Sequence, residues 1–461
     1  MAKLTFHGAA ETVTGSKYLL EVGDQAVLVD CGVFQGPREL RVRNWQPPAF
    51  DPKSVGAVIL THAHIDHIGY LPRLVRQGFN ATVFATPPTA DLAEISLLDS
   101  AEIQEEDAAW RNKKKLTRHE KALPLFTTAD VQTTLKLLRP APFGQWQTLG
   151  RSLRFRYHPA GHILGAAAVE AEVTENGRKT TILFSGDIGR YGNPLTVDPA
   201  EPPEFDYLVC ESTYGGRLHA PEDPRAVLLD LIKDVVKRKS VLLVPAFAVS
   251  RAQQVTYLIN ELTRYELVPP IDIHIDSPMA VLTTDVYIKY QGQHGVDTSK
   301  LGGKECLLSS ENVHLHRKRE SSKLLNKLKG PAVIISSSGM LTGGRIMHHM
   351  MQRLPDPSTT VALVGFMAAG TRGRQLADGA TEISIHKQTF KVNARVVHLH
   401  GLSGHADFYE ILHWLEPVKQ PPRRVFVTHG ERDQSEAMAA HLKNDRGWTC
   451  HIPRLGETVE L

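Results

Sequence analysis

Short apolar runs closed by Gly, Asp, His or Pro dominate the first part of the chain. "AVLVDCG" (26–32), "GAVILTH" (56–62) and "TVFAT" (82–86) read as β-strands, and a long helix is expected from about Thr89 to Lys115. Three more strands are predicted at "LRFRYH" (153–158), "AAAVEAEV" (166–173) and "TTILFSGD" (180–187). From about residue 207 the rhythm changes. "YLVCES", "VLLVPA" (241–246), "IDIHID" (271–276), "AVIISSSG" and "TVALVGF" alternate with helical stretches through 223–239, from Ser250 and from Pro278. Strand–helix alternation predicts βαβ units and a parallel sheet. The last stretch, "ARVVHLHGLSGHAD" and "RRVFVTHGE", returns to short strands and histidines. The pattern therefore reads as an α/β chain in which residues 1–206 form the first part of one domain, 207–390 a second α/β domain, and 391–461 the segment that completes the first. The Pro-rich "VDPAEPPEFD" (197–206) is the expected first crossover.

Composition narrows this only slightly. With 461 residues the chain exceeds one ordinary core, which fits two domains. No run of 18 apolar residues occurs, so no membrane span is expected. The start "MAKLTFHGAAETVTG" has no apolar signal core, and a cytoplasmic location is expected. Cys31, Cys210, Cys306 and Cys450 stand far apart without a CxxC, which argues against a disulfide framework and against a cysteine zinc site. A formal net charge of +3 permits a basic surface without requiring one. The 22 histidines are the compositional oddity.

Their placement carries the chemistry. "THAHIDHIG" (61–69) puts His62, His64, Asp66 and His67 where a strand runs into a turn. His62 and His64 project alike from the turn, while Asp66 and His67 can face a second position nearby. Neutral imidazole and carboxylate are donors for zinc, and for manganese or iron. Three more candidates stand after apolar strands beside glycine: His162 in "PAGHILG", Asp187 in "LFSGDIG" and His429 in "VFVTHGE". Asp187 could bridge two cations, since a carboxylate offers two oxygens. Asp30 in "LVDCG" suits the layer behind, where a carboxylate orients a ligand histidine or a bound water. The bland alternative, a polar His-rich loop, fits poorly with a cluster at a strand end.

The ordered set Asp30, "HAHIDH", His162 and Asp187 resembles the metallo-β-lactamase fold, which implies an αββα sandwich with a dinuclear, usually zinc, site at one edge. The chain continues far past Asp187, and this continuation resembles the β-CASP nucleases. "LVCESTYG" with Glu211, "LSGHAD" with His405 and "VTHGE" with His429 match that family's motifs A, B and C. "VPAFAVSRAQQ", "IDSPMA", "ISSSGMLTGGR" and "GFMAAGTRGRQL" extend the likeness over essentially the whole chain. It is similar to bacterial members and to the endonuclease subunit of the eukaryotic pre-mRNA 3′-end processing factor. The implied fold is an αββα sandwich with an inserted β-CASP α/β domain, a parallel sheet flanked by helices. A histidine in motif C accompanies the RNA-active branches, whereas DNA-repair branches carry valine there.

The residues and the resemblance together give a mechanism to test. Two zinc ions per chain are expected, with manganese or iron as alternatives. His62, His64 and His162 would hold one, Asp66, His67 and His429 the other, and Asp187 would bridge. Asp66 and Asp30 join His405 and Glu211 as the residues expected to serve catalysis. A metal-bridging hydroxide would attack a phosphodiester, since paired cations lower the pKa of bound water and clamp an in-line displacement. His405 would act as general acid, with Glu211 raising its pKa and aiming its ring. The resemblance implies single-stranded RNA as partner and products with 5′-phosphate and 3′-hydroxyl. Endonuclease and 5′–3′ exonuclease modes are both open, with endonuclease the favoured one. Backbone N–H groups beside Ser337, Ser338 and Gly339, and a similar loop with Arg372 and Arg374, are candidate RNA phosphate sites. The basic run "WRNKKKLTRHEK" (110–121) could touch the RNA backbone. A homodimer is compatible with the sequence. The competing readings are a hydrolase of another ester or of DNA, and a non-catalytic RNA-processing scaffold.

Overall fold

The computed structural model describes residues 2–116, 120–294, 308–365, 367 and 370–461. It divides into two compact units, Met1–Leu218 with Gly404–Leu461, and His219–Ser403. Cys306 and parts of the 110–121 and 365–376 stretches lie outside the described residues.

The first unit contains two sheets, each of seven strands among the described residues. One runs in spatial order Thr458–Glu460, Lys3–Phe6, Tyr18–Val22, Gln25–Val29, Ala57–Ile59, Thr82–Ala85, Leu138–Pro140. The other runs Cys450–His451, Arg424–Thr428, Tyr207–Glu211, Arg178–Phe184, Ala167–Glu175, Leu153–Pro159, Gln147–Leu149. Phe6, Tyr18, Val27 and Ile59 of the first sheet share one core with Phe155, Val169, Phe184, Val209 and Phe426 of the second. Burial of that apolar area is the main drive for closing the sandwich. The period-2 rule is visible at Leu153–Pro159. Leu153, Phe155 and Tyr157 are buried, whereas Arg154 and Arg156 turn outward and pair with Glu172 and Glu170 on the neighbouring strand.

Outer helices complete the αββα arrangement. Pro87–Lys113 packs beside Leu138–Pro140, and Arg432–Arg446 beside Arg424–Thr428. The first of these is the long helix expected from Thr89. Thr86 caps it by accepting from Thr89 N, and prolines fill the first turn, where the N–H would go unused. Among the described residues no helix is long and apolar enough to cross a membrane.

The sequence boundaries shift. Tyr207–Glu211 pairs with Arg178–Phe184 and Arg424–Thr428, so it belongs to the first unit. The Pro-rich 197–206 stretch lies inside that unit too: Ala200 N donates to Pro159 O, and Trp414 Nε1 donates to Ala200 O. Arg395–Leu399 pairs with Thr360–Val364 and so belongs to the second unit. The crossings fall at 218/219 and 403/404, not at 206/207 and 390/391. An apolar run announces a strand, but its own pattern does not say which sheet it joins.

The second unit is built on a six-stranded sheet ordered Val313–Leu315, Asp272–Ile275, Ala332–Ser336, Val241–Pro245, Thr360–Val364, Arg395–Leu399. Every pairing in it is parallel. Three of these strands are buried at every position, as a sheet in βαβ connectivity requires.

Candidate metal centre

The strand Ala57–Ile59 delivers Thr61 and His62 to the sheet edge, and His64 begins the short helix Ile65–Ile68 that carries Asp66 and His67. Two neighbouring segments hold this turn in place with three main-chain hydrogen bonds. Ser16 N donates to Asp66 O, Cys31 N to His67 O and Val33 N to Ile65 O, at 2.9, 2.7 and 3.2 Å. Gly32 sits at the tightest point: a Cβ there would stand 1.5 Å from Asp66 O, so only glycine fits.

Two groups of donors meet here. His62 Nε2 lies 3.0 Å from His64 Nδ1 and 3.3 Å from Asp187 Oδ2. His162 Nε2 lies 3.2 Å from His64 Nδ1 and 3.6 Å from Asp187 Oδ2. In the second group His67 Nε2 is 3.0 Å from His429 Nε2, and His429 Nε2 is 3.7 Å from Asp66 Oδ2. Asp187 serves both, with Oδ1 3.4 Å from His67 Nε2. These spacings suit a cation. A tetrahedron with metal–nitrogen bonds of about 2.0–2.1 Å has edges of about 3.3–3.4 Å. Asp187 Oδ1 is moreover buried and accepts no hydrogen bond among the described residues, which is costly for an oxygen without a ligand. Geometry and donor chemistry thus fit two adjacent metal ions.

Electrostatics points the same way. Burial, reinforced by the neighbouring histidines, pushes His62 and His162 well below the ordinary histidine range, so both keep bare nitrogens. Burial alone would pull His67 down, but Asp187 and Asp30 overcome it and raise the ring to about 10. Asp66 is pulled below the usual carboxylate range: burial opposes this, and the neighbouring imidazoles of His429 and His67 prevail. The carboxylates therefore draw positive charge into the pocket.

A second layer steadies the donors. Asp30 is buried at φ +60° and accepts from Thr61 N at 2.8 Å and Ser16 Oγ at 3.1 Å; its Oδ2 is 2.7 Å from His67 Nδ1. That bond aims His67 Nε2 inward. Thr61 Oγ1 stands 3.1 Å from His62 Nδ1, and Thr213 Oγ1 3.1 Å from His429 Nδ1. Ser16, Thr61 and Thr213 are not marked by the sequence. Thr61 and Thr213 do flank His62 and Glu211, but a hydroxyl beside a turn is too common to single them out.

His405 Nδ1 lies 3.2 Å from Glu211 Oε2 and 3.9 Å from Asp187 Oδ2, and its ring centroid is 4.3 Å from that of His162. Glu211 is buried and accepts from Ile188 N at 2.6 Å. Burial lowers His405, but Glu211 and Asp187 outweigh it and lift the ring to about 9.

The predicted phosphate-binding residues Ser337, Ser338, Gly339, Arg372 and Arg374 all lie in the second unit, whereas the basic run at 110–121 belongs to the first. Ser337, Ser338 and Gly339 follow Ala332–Ser336, and the loop ahead of Arg372–Ala377 follows Thr360–Val364, so both loops sit at the C-terminal edge of the parallel sheet. They touch: Gly373 N donates to Met340 O, and Arg372 Nη1 to Leu341 O. Ser337 Oγ is buried without a hydrogen-bond partner among the described residues. Ser338 Oγ accepts from Thr342 N and Gly343 N inside its own turn. Arg372 Nε donates to Ser384 O, and Arg374 pairs with Asp378 at 2.8 Å.

Three family models match the chain: the metallo-beta-lactamase superfamily over residues 12–93, the Beta-Casp domain over 252–376, and the Zn-dependent metallo-hydrolase RNA specificity domain over 389–453. Ribonuclease TTHA0252 of Thermus thermophilus is 36% identical over 458 residues, covering 98% of this chain and 99% of that protein. The chain belongs to the β-CASP ribonuclease family. Other β-CASP relatives span it as well. An RNase J-like protein of Methanocaldococcus jannaschii is 30% identical over the whole of both chains. The transcription termination factor FttA of Methanosarcina mazei is 29% identical over 95% of this chain and 68% of its own. A crystal structure of an Enterococcus faecalis protein of unknown function shares the fold along both full lengths, with TM-score 0.57 at 14% identity.

Proposed function

We propose that this β-CASP metallo-hydrolase cleaves single-stranded RNA, endonucleolytically, with two zinc ions held by His62, His64, His162, Asp66, His67 and His429 and bridged by Asp187. The observation that carries the reading is Asp187, whose two oxygens face two separate donor groups. Paired cations there would supply Lewis acidity and a water acidified toward pH 7.

The remaining work falls to the chain's own groups. Asp30 holds His67 in one orientation. His405 stands beside the donor cluster and gives its proton to the leaving 3′ oxygen, which leaves 5′-phosphate and 3′-hydroxyl products. Glu211 keeps that proton on the ring until then. The loops at 337–339 and 370–374 are the proposed phosphate contacts, with Ser337 Oγ, which has no hydrogen-bond partner among the described residues, the group offered to a phosphate. A relative named ribonuclease over nearly equal length supports RNA as the substrate.

The test is a digestion of 5′-labelled and of internally labelled RNA, with and without chelator. Internal fragments that appear first and vanish with chelator are expected. Immediate mononucleotide release would replace the endonuclease by a 5′–3′ exonuclease. Cleavage by Asp187→Ala at the wild-type rate would remove the bridge.

A further inference from the structure

We propose that Thr213 is a positioning residue that decides which ring nitrogen of His429 carries the proton. Thr213 Oγ1 lies 3.1 Å from the His429 carbonyl oxygen and 3.1 Å from His429 Nδ1. A carbonyl only accepts, so the hydroxyl proton goes there. The hydroxyl oxygen then has only lone pairs left to offer, and Nδ1 must be the donor. Nε2 is left bare. Nε2 is also the nitrogen that faces His67 Nε2 at 3.0 Å and Asp66 Oδ2 at 3.7 Å. An imidazole takes a cation only through an unprotonated nitrogen. The rival partner for Nδ1 is Asp187 Oδ1 at 3.6 Å, beyond hydrogen-bond range.

The ring has little freedom to choose otherwise. His429 sits at φ +49°, with its N–H donated to Ala9 O at 2.7 Å and its carbonyl also accepting from Ser212 N at 3.3 Å. The same device recurs in the other donor group. Thr61 Oγ1 lies 3.0 Å from both oxygens of the Asp30 carboxylate, which only accepts, and 3.1 Å from His62 Nδ1. The hydroxyl donates to Asp30 and accepts from Nδ1–H, so His62 Nε2 is bare as well. One threonine serves each half. Thr213 has a second tie, since its N–H reaches Glu211 Oε2 at 3.3 Å. It joins the His405–Glu211 pair to the half that holds His429.

The inference rests on the two-cation reading proposed above, and the test separates the two. Zinc is titrated into the metal-free full-length chain against a chromophoric chelator, for wild type, Thr213→Val and Thr213→Ser, and the metal-free forms are melted in parallel. Wild type binds two equivalents. Thr213→Val weakens one equivalent about 10–100-fold, the range seen when an outer hydrogen-bond partner of a ligand is lost, and leaves the other unchanged. Thr213→Ser restores it. Wild-type protein binding fewer than two equivalents would sink the two-cation reading itself. Two undiminished equivalents in Thr213→Val would overturn the role of Thr213 alone. So would loss of both equivalents without rescue by serine, or a lower melting temperature of the metal-free valine form, which would mark Thr213 as merely structural.

Discussion

Glu211 and His405 show how two side chains become a working pair. The carboxylate is buried, accepts the Ile188 amide on Oε1 and the Thr213 amide on Oε2, and keeps both oxygens within 3.3 Å of the imidazole Nδ1. Its negative charge favours the protonated ring, so His405, the proposed general acid, stays protonated through neutral pH. In Glu211→Gln that charge is gone and the imidazolium loses its stabilising neighbour. The alkaline limb of the pH–rate profile, where the acid is lost, is then expected to move to lower pH by about one unit or more. A limb that stays in place in Glu211→Gln would show that His405 is not the titrating acid. The "HAHIDH" cluster, His162, Asp187 and His429 are legible in the sequence because they stand at strand ends close to glycine, and Glu211 and His405 because they match motifs A and B of the family the chain resembles. Ser16, Thr61 and Thr213 are not, since their role depends on which nitrogen lies within reach, and only coordinates give that.

At the scale of elements, the site is a meeting of loop backbones before it is a set of side chains. The turn carrying Asp66 and His67 is stitched to the 14–17 and 30–33 segments by main-chain bonds, and Gly32 is what lets them approach. Gly32→Ala pushes a methyl into the Asp66 carbonyl. We expect a loss of about 3 kcal/mol or more, with weakened metal binding, measured by denaturant unfolding and zinc titration. Unchanged stability would mean that this contact relaxes freely. Strands and helices themselves were well marked by pattern; the long helix begins at Pro87 against an expected Thr89. The crossings were not, because Tyr207–Glu211 and Arg395–Leu399 look alike as apolar runs and differ only in the sheet that accepts them.

For the whole molecule, every proposed metal donor belongs to the first unit, though His429 and His62 stand far apart in sequence. A ligand bound to one folded unit stabilises that unit by mass action, about 4 kcal/mol at a thousandfold excess over Kd. Calorimetry with and without chelator should therefore shift the transition of the sandwich and leave that of the parallel-sheet unit in place. Equal shifts of both would show that the two melt as one.

The strand Arg424–Thr428, wedged between Tyr207–Glu211 and Cys450–His451, has a consequence for how the protein is born. A ribosome adding about 5–20 residues per second needs roughly ten to forty seconds to travel the ~200 residues from Glu211 to that strand. Throughout that interval the nascent sandwich has an open edge, and His429 does not yet exist. A chain stalled or truncated there carries His62, His64 and His162 but cannot complete the other half. Translation itself thus withholds the second group of proposed metal donors until His429 has been added.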